Sequence, residues 1–254
     1  MSDLLMDRSG GVLTITLNRL EKKNAFTRAM YASIADALAQ ADGDPALHAL
    51  VIQGHETIFS AGNDIGDFLD RSAAAQESPA LRFLRAISTF SKPLVAAVCG
   101  PAVGIGTTLL FHCDLVYAGD NAAFSMPFVN LGLCPEAASS HLAPQLMGHG
   151  RAAEALLLGE PFLAETALEI GLVSRIVPPS EAAALAQRQA LKLAAKPLGA
   201  LIETKRLMKK SQAAVVAERL LEEGASFARL LTEPAAREAF TAFLHKRKPD
   251  FSKA

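Results

Sequence analysis

In the stretch Asn130 to Ser140, NLGLCPEAASS, the single acid, Glu136, follows a proline among small and apolar residues, with no Lys or Arg in the same run. A carboxylate in that setting is either a solvated loop residue or a group kept dry in order to move a proton. Two glycine-bearing segments offer a complementary chemistry. GPAVGIG, Gly100 to Gly106, and FSAGND, Phe59 to Asp64, each stand between an apolar strand-like run and a helix start. Glycine lets the backbone approach a ligand closely, and a helix N-terminus leaves N–H groups unpaired. One N–H from each turn on a shared oxygen would stabilise a developing oxyanion. Each turn alone could equally be structural, and Asp64 could simply cap the helix that follows it.

Other chemistries find little support. A dinucleotide fingerprint through GPAVGIG would need glycine at 109, where Leu109 stands, and there is no P-loop GK[ST] and no GxSxG elbow. His112 and Cys113 lie inside the apolar TTLLFHC and read as core residues, while His141 reads as a helix-surface residue close in sequence to Glu136. No set of residues has metal-ligand spacing, so no metal is expected. Cys99, Cys113 and Cys134 are an odd number without a CxxC pair, and read as buried free thiols in a reducing compartment. The 254 residues are half hydrophobic and one fifth charged, with a formal net charge of −1. That balance argues against nucleic-acid or membrane-surface partners. No signal-peptide core and no bilayer-length apolar run is present, and the tail FSKA is no SKL-type address, so a soluble cytoplasmic protein is expected.

The elements that would position these residues follow from periodicity. VLTITLNR at 12–19 alternates as a half-buried strand, and Thr27 can cap a helix to about Ala41 with Met30, Ile34, Ala37 and Leu38 on one face, stopped by Gly43. ALVIQG at 49–54 and PLVAAVCG are continuous apolar strands, with a short helix from Asp64, a polar Ala-rich loop near 71–79 and a helix at 79–91 between them. DLVYAG and AAFSMPF are further strands. Beyond Ser139 the pattern is helical, apart from a strand at 172–177, and ends in one long helix from about Gln212 to Lys246. The result is an α/β core with a helical C-terminal third.

FSAGNDI, AAVCGPAVGIGTTLLFHCDLVYAGDNAAFSMPF, LGLCPEAASSHLAPQLMG and TAFLHKRKPDF, with NRLEKKNAF and GLVSRIV, occur in an order that resembles the enoyl-CoA hydratase/isomerase, or crotonase, superfamily over nearly the whole chain. The resemblance implies a spiral of ββα units over 1–195, holding an acyl-CoA site, and a helical region at 196–254 for trimerisation, as a homotrimer or a hexamer. It implies an oxyanion hole of the Asn63 and Ile105 N–H groups. It also implies substrate contacts at Lys22, Lys23, Ala25, Ala61, Asp64, Ile65 and Phe128, and at Phe243 and Lys246, which would reach a neighbouring subunit's ligand. Lys22 and Lys23 could equally be solvated surface charges. The two glutamates of the family's hydratases are replaced by Thr108 and Phe128. PFVNLGLCPEAASS instead resembles the Δ3,Δ2-enoyl-CoA isomerase branch. The implied activity is a cofactor-free shift of a 3-enoyl-CoA double bond to 2-trans-enoyl-CoA with Glu136 as the base. A hydratase or ring-rearranging acyl-CoA isomerase is the alternative, and a non-catalytic acyl-CoA-binding scaffold the outsider.

Overall fold

The computed structural model describes residues 2–66 and 78–253. Most of the Ala-rich 71–79 stretch, and the helix expected from Asp64 beyond residue 66, lie outside them. A six-stranded sheet runs in the order β1 (Leu4–Ser9), β2 (Val12–Leu17), β3 (Ala49–Gln53), β4 (Leu94–Val98), β6 (Leu115–Gly119), β9 (Arg175–Val177). A three-stranded sheet joins β5 (Pro101–Val103), β7 (Ala123–Ser125) and β8 (Phe162–Leu163). β1 pairs antiparallel with β2, and every later pair in the large sheet is parallel.

Parallel strands covered on both faces read as unbroken apolar runs, which is why 49–53 and 94–98 lack polar alternation. One face of the sheet, with Ile15, Leu50, Ile52, Leu94 and Val98, packs under α1 (Arg28–Gly43) and α2 (Pro79–Thr89). The other, with Val12, Val51, Val95 and Ala97, packs on Leu185, Ala186 and Ala190 of α7 (Pro179–Ala194). Thr27 caps α1 as expected, its hydroxyl accepting from the Met30 N–H at 3.2 Å.

The spiral is visible in the connections. β4 lies in the large sheet, β5 in the small one, and the short α3 (Ile105–Thr108) follows; β6, β7 and α4 (Ser139–Met147) repeat the pattern. An isolated bridge from Ser60 to Ala102 adds the segment after β3 to the small sheet, with helical backbone from residue 65. Each unit thus brings a strand end and a helix start to the same edge.

The helical third contains α8 (Leu198–Lys209), α9 (Ala213–Leu230) and α10 (Pro234–Leu244). The single helix expected over 212–246 is therefore two. Pro234 has no N–H to donate to the preceding turn and drives Glu233 into extended backbone (φ −72°, ψ 155°), so the chain restarts with proline in the first turn. The short strands β1 and β8 are additions to the expected set, as is the break of 172–177 down to three residues at 175–177. The Lys205 ammonium ties α8 to the sheet by donating to the Lys92 carbonyl and to the Asp114 carboxylate, both at 2.7 Å. Among the described residues, no helix is long and apolar enough to cross a membrane.

Candidate active site

The two glycine turns meet. The Phe26 N–H donates to the Gly62 carbonyl and the Asp64 N–H to the Phe26 carbonyl, which pins residue 63 in a one-residue parallel bridge. That pairing uses the groups on either side of Asn63 and turns its own N–H away. The Val103 N–H donates to the Ser60 carbonyl at 2.9 Å, fastening the second turn to the first. Gly62 has φ +90°, and a Cβ there would stand 3.0 Å from the Val103 carbonyl oxygen, so both its conformation and its neighbour demand glycine. Gly104, at φ +55°, then turns the chain into α3, whose first residue is Ile105. Neither the Asn63 N–H nor the Ile105 N–H has a hydrogen-bond partner among the described residues. These are two donors of the kind that stabilise a developing negative charge.

Glu136 is buried beside them. Its pKa is pushed up to about 8, first by burial and then by the negative charge of Glu223, against a weak pull from the Thr108 hydroxyl, which donates to Oε1 at 3.5 Å. Thr108 closes α3, so the carboxyl lies within reach of the helix that Ile105 opens. Tyr31 of α1 joins the two parts: its hydroxyl donates to the Asn63 side-chain oxygen at 2.5 Å, and its pKa is raised by burial and then by Glu136. Behind Glu136, Ala137 and Ala138 both have left-handed backbone, φ 60° and 55°, before α4 begins. The ring of His112 meets the Ala137 carbonyl at 2.8 Å; burial holds its pKa down to about 4, so the neutral imidazole donates through Nε2.

The remaining expected residues divide into two groups. Ala25 is buried, and the Ala61 N–H donates to the Lys23 carbonyl at 2.9 Å, so the 22–25 and 61–65 segments run side by side. Lys22 and Lys23 are exposed there, and Ile65 is half-buried. Asp64 receives the Arg19 guanidinium at 2.7 Å. Phe128 is buried, with its ring edge 4.0 Å from where a Gly104 Cβ would be, and packs in a cluster with Leu133 and Phe240. Phe124 is buried and stacks on Phe162 at 5.6 Å. Phe243 and Lys246 are exposed at the end of the chain's last long helix. His112 is a core residue as read, and His141 is half-buried on α4.

All three cysteines are free; Cys99 is buried, whereas Cys113 and Cys134 are only partly so. Among the described residues, no cluster of three or more His, Cys, Asp or Glu could hold a metal. Sequence reasoning missed Tyr31, Arg19 and Asn24. The buried Asn24 amide donates to the Phe59 carbonyl at 3.1 Å and accepts from the Arg19 N–H at 2.8 Å, fixing the entry to the first turn. Tyr31 carried a signal, an aromatic with a polar end on the apolar face of α1.

Comparison with known proteins gives this geometry a context. The family model for enoyl-CoA hydratase/isomerase matches residues 7–254. The chain is 34% identical over 252 residues to 2,3-dehydroadipyl-CoA hydratase of Escherichia coli, covering 99% of both proteins. It is 43% identical over 183 residues to enoyl-CoA delta isomerase 2 of Rattus norvegicus, covering 70% of this chain and 46% of that one. The structure of an enoyl-CoA hydratase/isomerase from Pseudoalteromonas atlantica superposes with a TM-score of 0.95 at 37% identity, covering 98% of this chain and all of that one. With its ββα spiral and its sequence in agreement from residue 7 onward, the chain belongs to the enoyl-CoA hydratase/isomerase family of the crotonase superfamily.

Proposed function

We propose that the protein is a Δ3,Δ2-enoyl-CoA isomerase. The thioester oxygen of a 3-enoyl-CoA lies between the N–H groups of Asn63 and Ile105, and the Glu136 carboxylate removes a proton from C2. The electron pair moves into a dienolate whose charge rests on that oxygen. The protonated Glu136 then delivers the proton to C4 and the double bond moves to C2–C3, so no cofactor and no net proton is consumed. Residues 22–25, 61–65 and Phe128 line the acyl-CoA path. Phe243 and Lys246 serve a neighbouring chain in a homotrimer or hexamer.

The observation that carries this reading is a buried carboxyl with a pKa of about 8 that accepts from Thr108, on the helix opened by the unpaired Ile105 N–H, and that acts on Tyr31, the partner of the Asn63 side chain. Thr108 and Phe128, at the positions where the hydratase reading needs glutamates, are buried and offer no carboxylate. The hydratase relative keeps hydration as the second reading.

Purified protein given 3-enoyl-CoA and 2-enoyl-CoA in separate reactions discriminates between them: conjugation without hydration supports the isomerase, and hydration overturns it. Glu136→Gln is expected to lower kcat by roughly 10²–10⁴ while acyl-CoA binding is retained. Near-normal isomerisation in that variant would remove Glu136 from the mechanism.

A further inference from the structure

Glu136 and Glu223 are the buried acids among the described residues. The mechanism above uses only the first. Glu223 lies on α9, and its carboxylate accepts from the Ala138 N–H at 2.6 Å, from the Ser140 N–H at 3.0 Å and from the Ser140 hydroxyl at 2.5 Å. These donors sit two and four residues beyond Glu136, where the backbone passes through two left-handed alanines that no local pattern favours. On the other side of Glu136, the Cys134 thiol donates to the Glu223 carbonyl at 3.8 Å. One residue of the C-terminal helical region therefore grips the Glu136 loop at both ends.

A carboxylate is unusual in this role because a neutral acceptor would hold the same N–H groups without setting a second negative charge beside Glu136. We propose that Glu223 is a positioning residue for the reaction, which holds the Glu136 loop and, through its charge, sets the pH at which Glu136 acts as a base. The proposal rests on the reading of Glu136 as that base.

Burial pushes the Glu223 carboxyl above the ordinary carboxylate range, while its donors from Ser140 and Ala138, and Arg219 one turn earlier on α9, pull it back toward the ionised form. The other titratable groups facing Glu136 stay neutral at mid-range pH. Tyr31 from α1 and the Cys134 thiol are both held above their ordinary values, and His112, which reaches the loop at Ala137, is held down to about 4. The acid limb of the pH–rate profile therefore reports the two glutamates.

In Glu223→Gln, the amide oxygen still accepts from the loop while the charge is gone. The acid limb of kcat/KM for 3-enoyl-CoA should move to lower pH by about one unit, the order expected when a like charge leaves a buried carboxyl. The high-pH plateau of kcat should fall about ten-fold with KM little changed, as the loop loosens. Circular dichroism checks folding. If the amide variant does not fold, Glu223→Asp draws the charge back by one methylene and should give the same downward movement, smaller in size.

A folded variant whose limb stays at the wild-type pH overturns the proposal, whatever happens to kcat. A ¹³C titration of Glu-labelled protein, with the Glu136 signal assigned by Glu136→Gln, follows the carboxyl without turnover. If Glu136→Gln isomerises near-normally, the reading of Glu136 as the base fails; a Glu136 titration that does not move in Glu223→Gln fails the role of Glu223 separately.

Discussion

At the residue scale, Glu136 trades stability for reactivity. Its carboxyl titrates near pH 8 in the folded chain against an ordinary value of 4.5. Between those values the folded protein keeps a proton that the unfolded chain releases, so this group's contribution to stability is whole below pH 4.5, falls through the window and is lost above about 8. Glu136→Gln should therefore stabilise the folded protein more at pH 9 than at pH 5, by on the order of a few kcal/mol at the higher pH. Equal changes at both pH values in thermal unfolding would show that the carboxyl is not buried as described. Tyr31→Phe is a finer probe. The ring still packs on Phe26 and Phe83, with centroids 5.1 and 5.4 Å away, but Asn63 loses its partner. We expect stability to fall by about 1 kcal/mol and kcat by about ten-fold with KM retained; unchanged kcat would release Tyr31 from any role at the donor turn. Glu136 stood out in the sequence because its apolar surroundings lie next to it in the chain. Tyr31, Arg19 and Glu223 did not, because the partners that give them meaning are 32, 45 and 85 residues away.

At the scale of elements, the glycine turns were legible because their requirement is local: positive φ at Gly62 and Gly104 needs glycine wherever the chain goes afterwards. Gly62→Ala forces a side chain into that backbone and to within 3.0 Å of the Val103 oxygen. The turn should shift, with kcat falling by roughly 10²–10³ through loss of one donor while the remote sheet stays folded by circular dichroism. Wild-type turnover in Gly62→Ala would mean that Asn63 does not supply a working N–H. Strands β3 and β4 and the capped α1 were equally legible, from apolar runs and from Thr27. The two-residue β8 was not, since it exists only through pairing with β7, a partner that periodicity cannot supply. The break between α9 and α10 was legible and passed over: Pro234 marks a helix start, yet the apolar spacing on either side suggested continuity.

For the whole molecule, the apolar residues left on the surface bear on the proposed assembly. Leu157 and Leu158 are 68% and 54% exposed, and Leu163, on the nearby β8, is 58% exposed. Near the C-terminus Phe243 and Leu244 are 60% and 61% exposed. Exposed large apolar side chains carry a cost in water that contact between chains would remove. If the protein assembles as proposed, sedimentation should give three or six times the 26.8 kDa of one chain. Replacing Leu157 and Leu158 with Glu should shift that mass toward the single chain. Both side chains are exposed and the substitutions leave Glu136, Asn63 and Ile105 in place. Should Phe243 and Lys246 serve the ligand of a neighbour, dissociation raises KM for acyl-CoA while Glu136 and both donor turns stay intact. A dissociated variant with wild-type KM would confine the whole acyl-CoA site to one chain, and a wild-type protein that sediments as a single chain would remove the neighbour altogether.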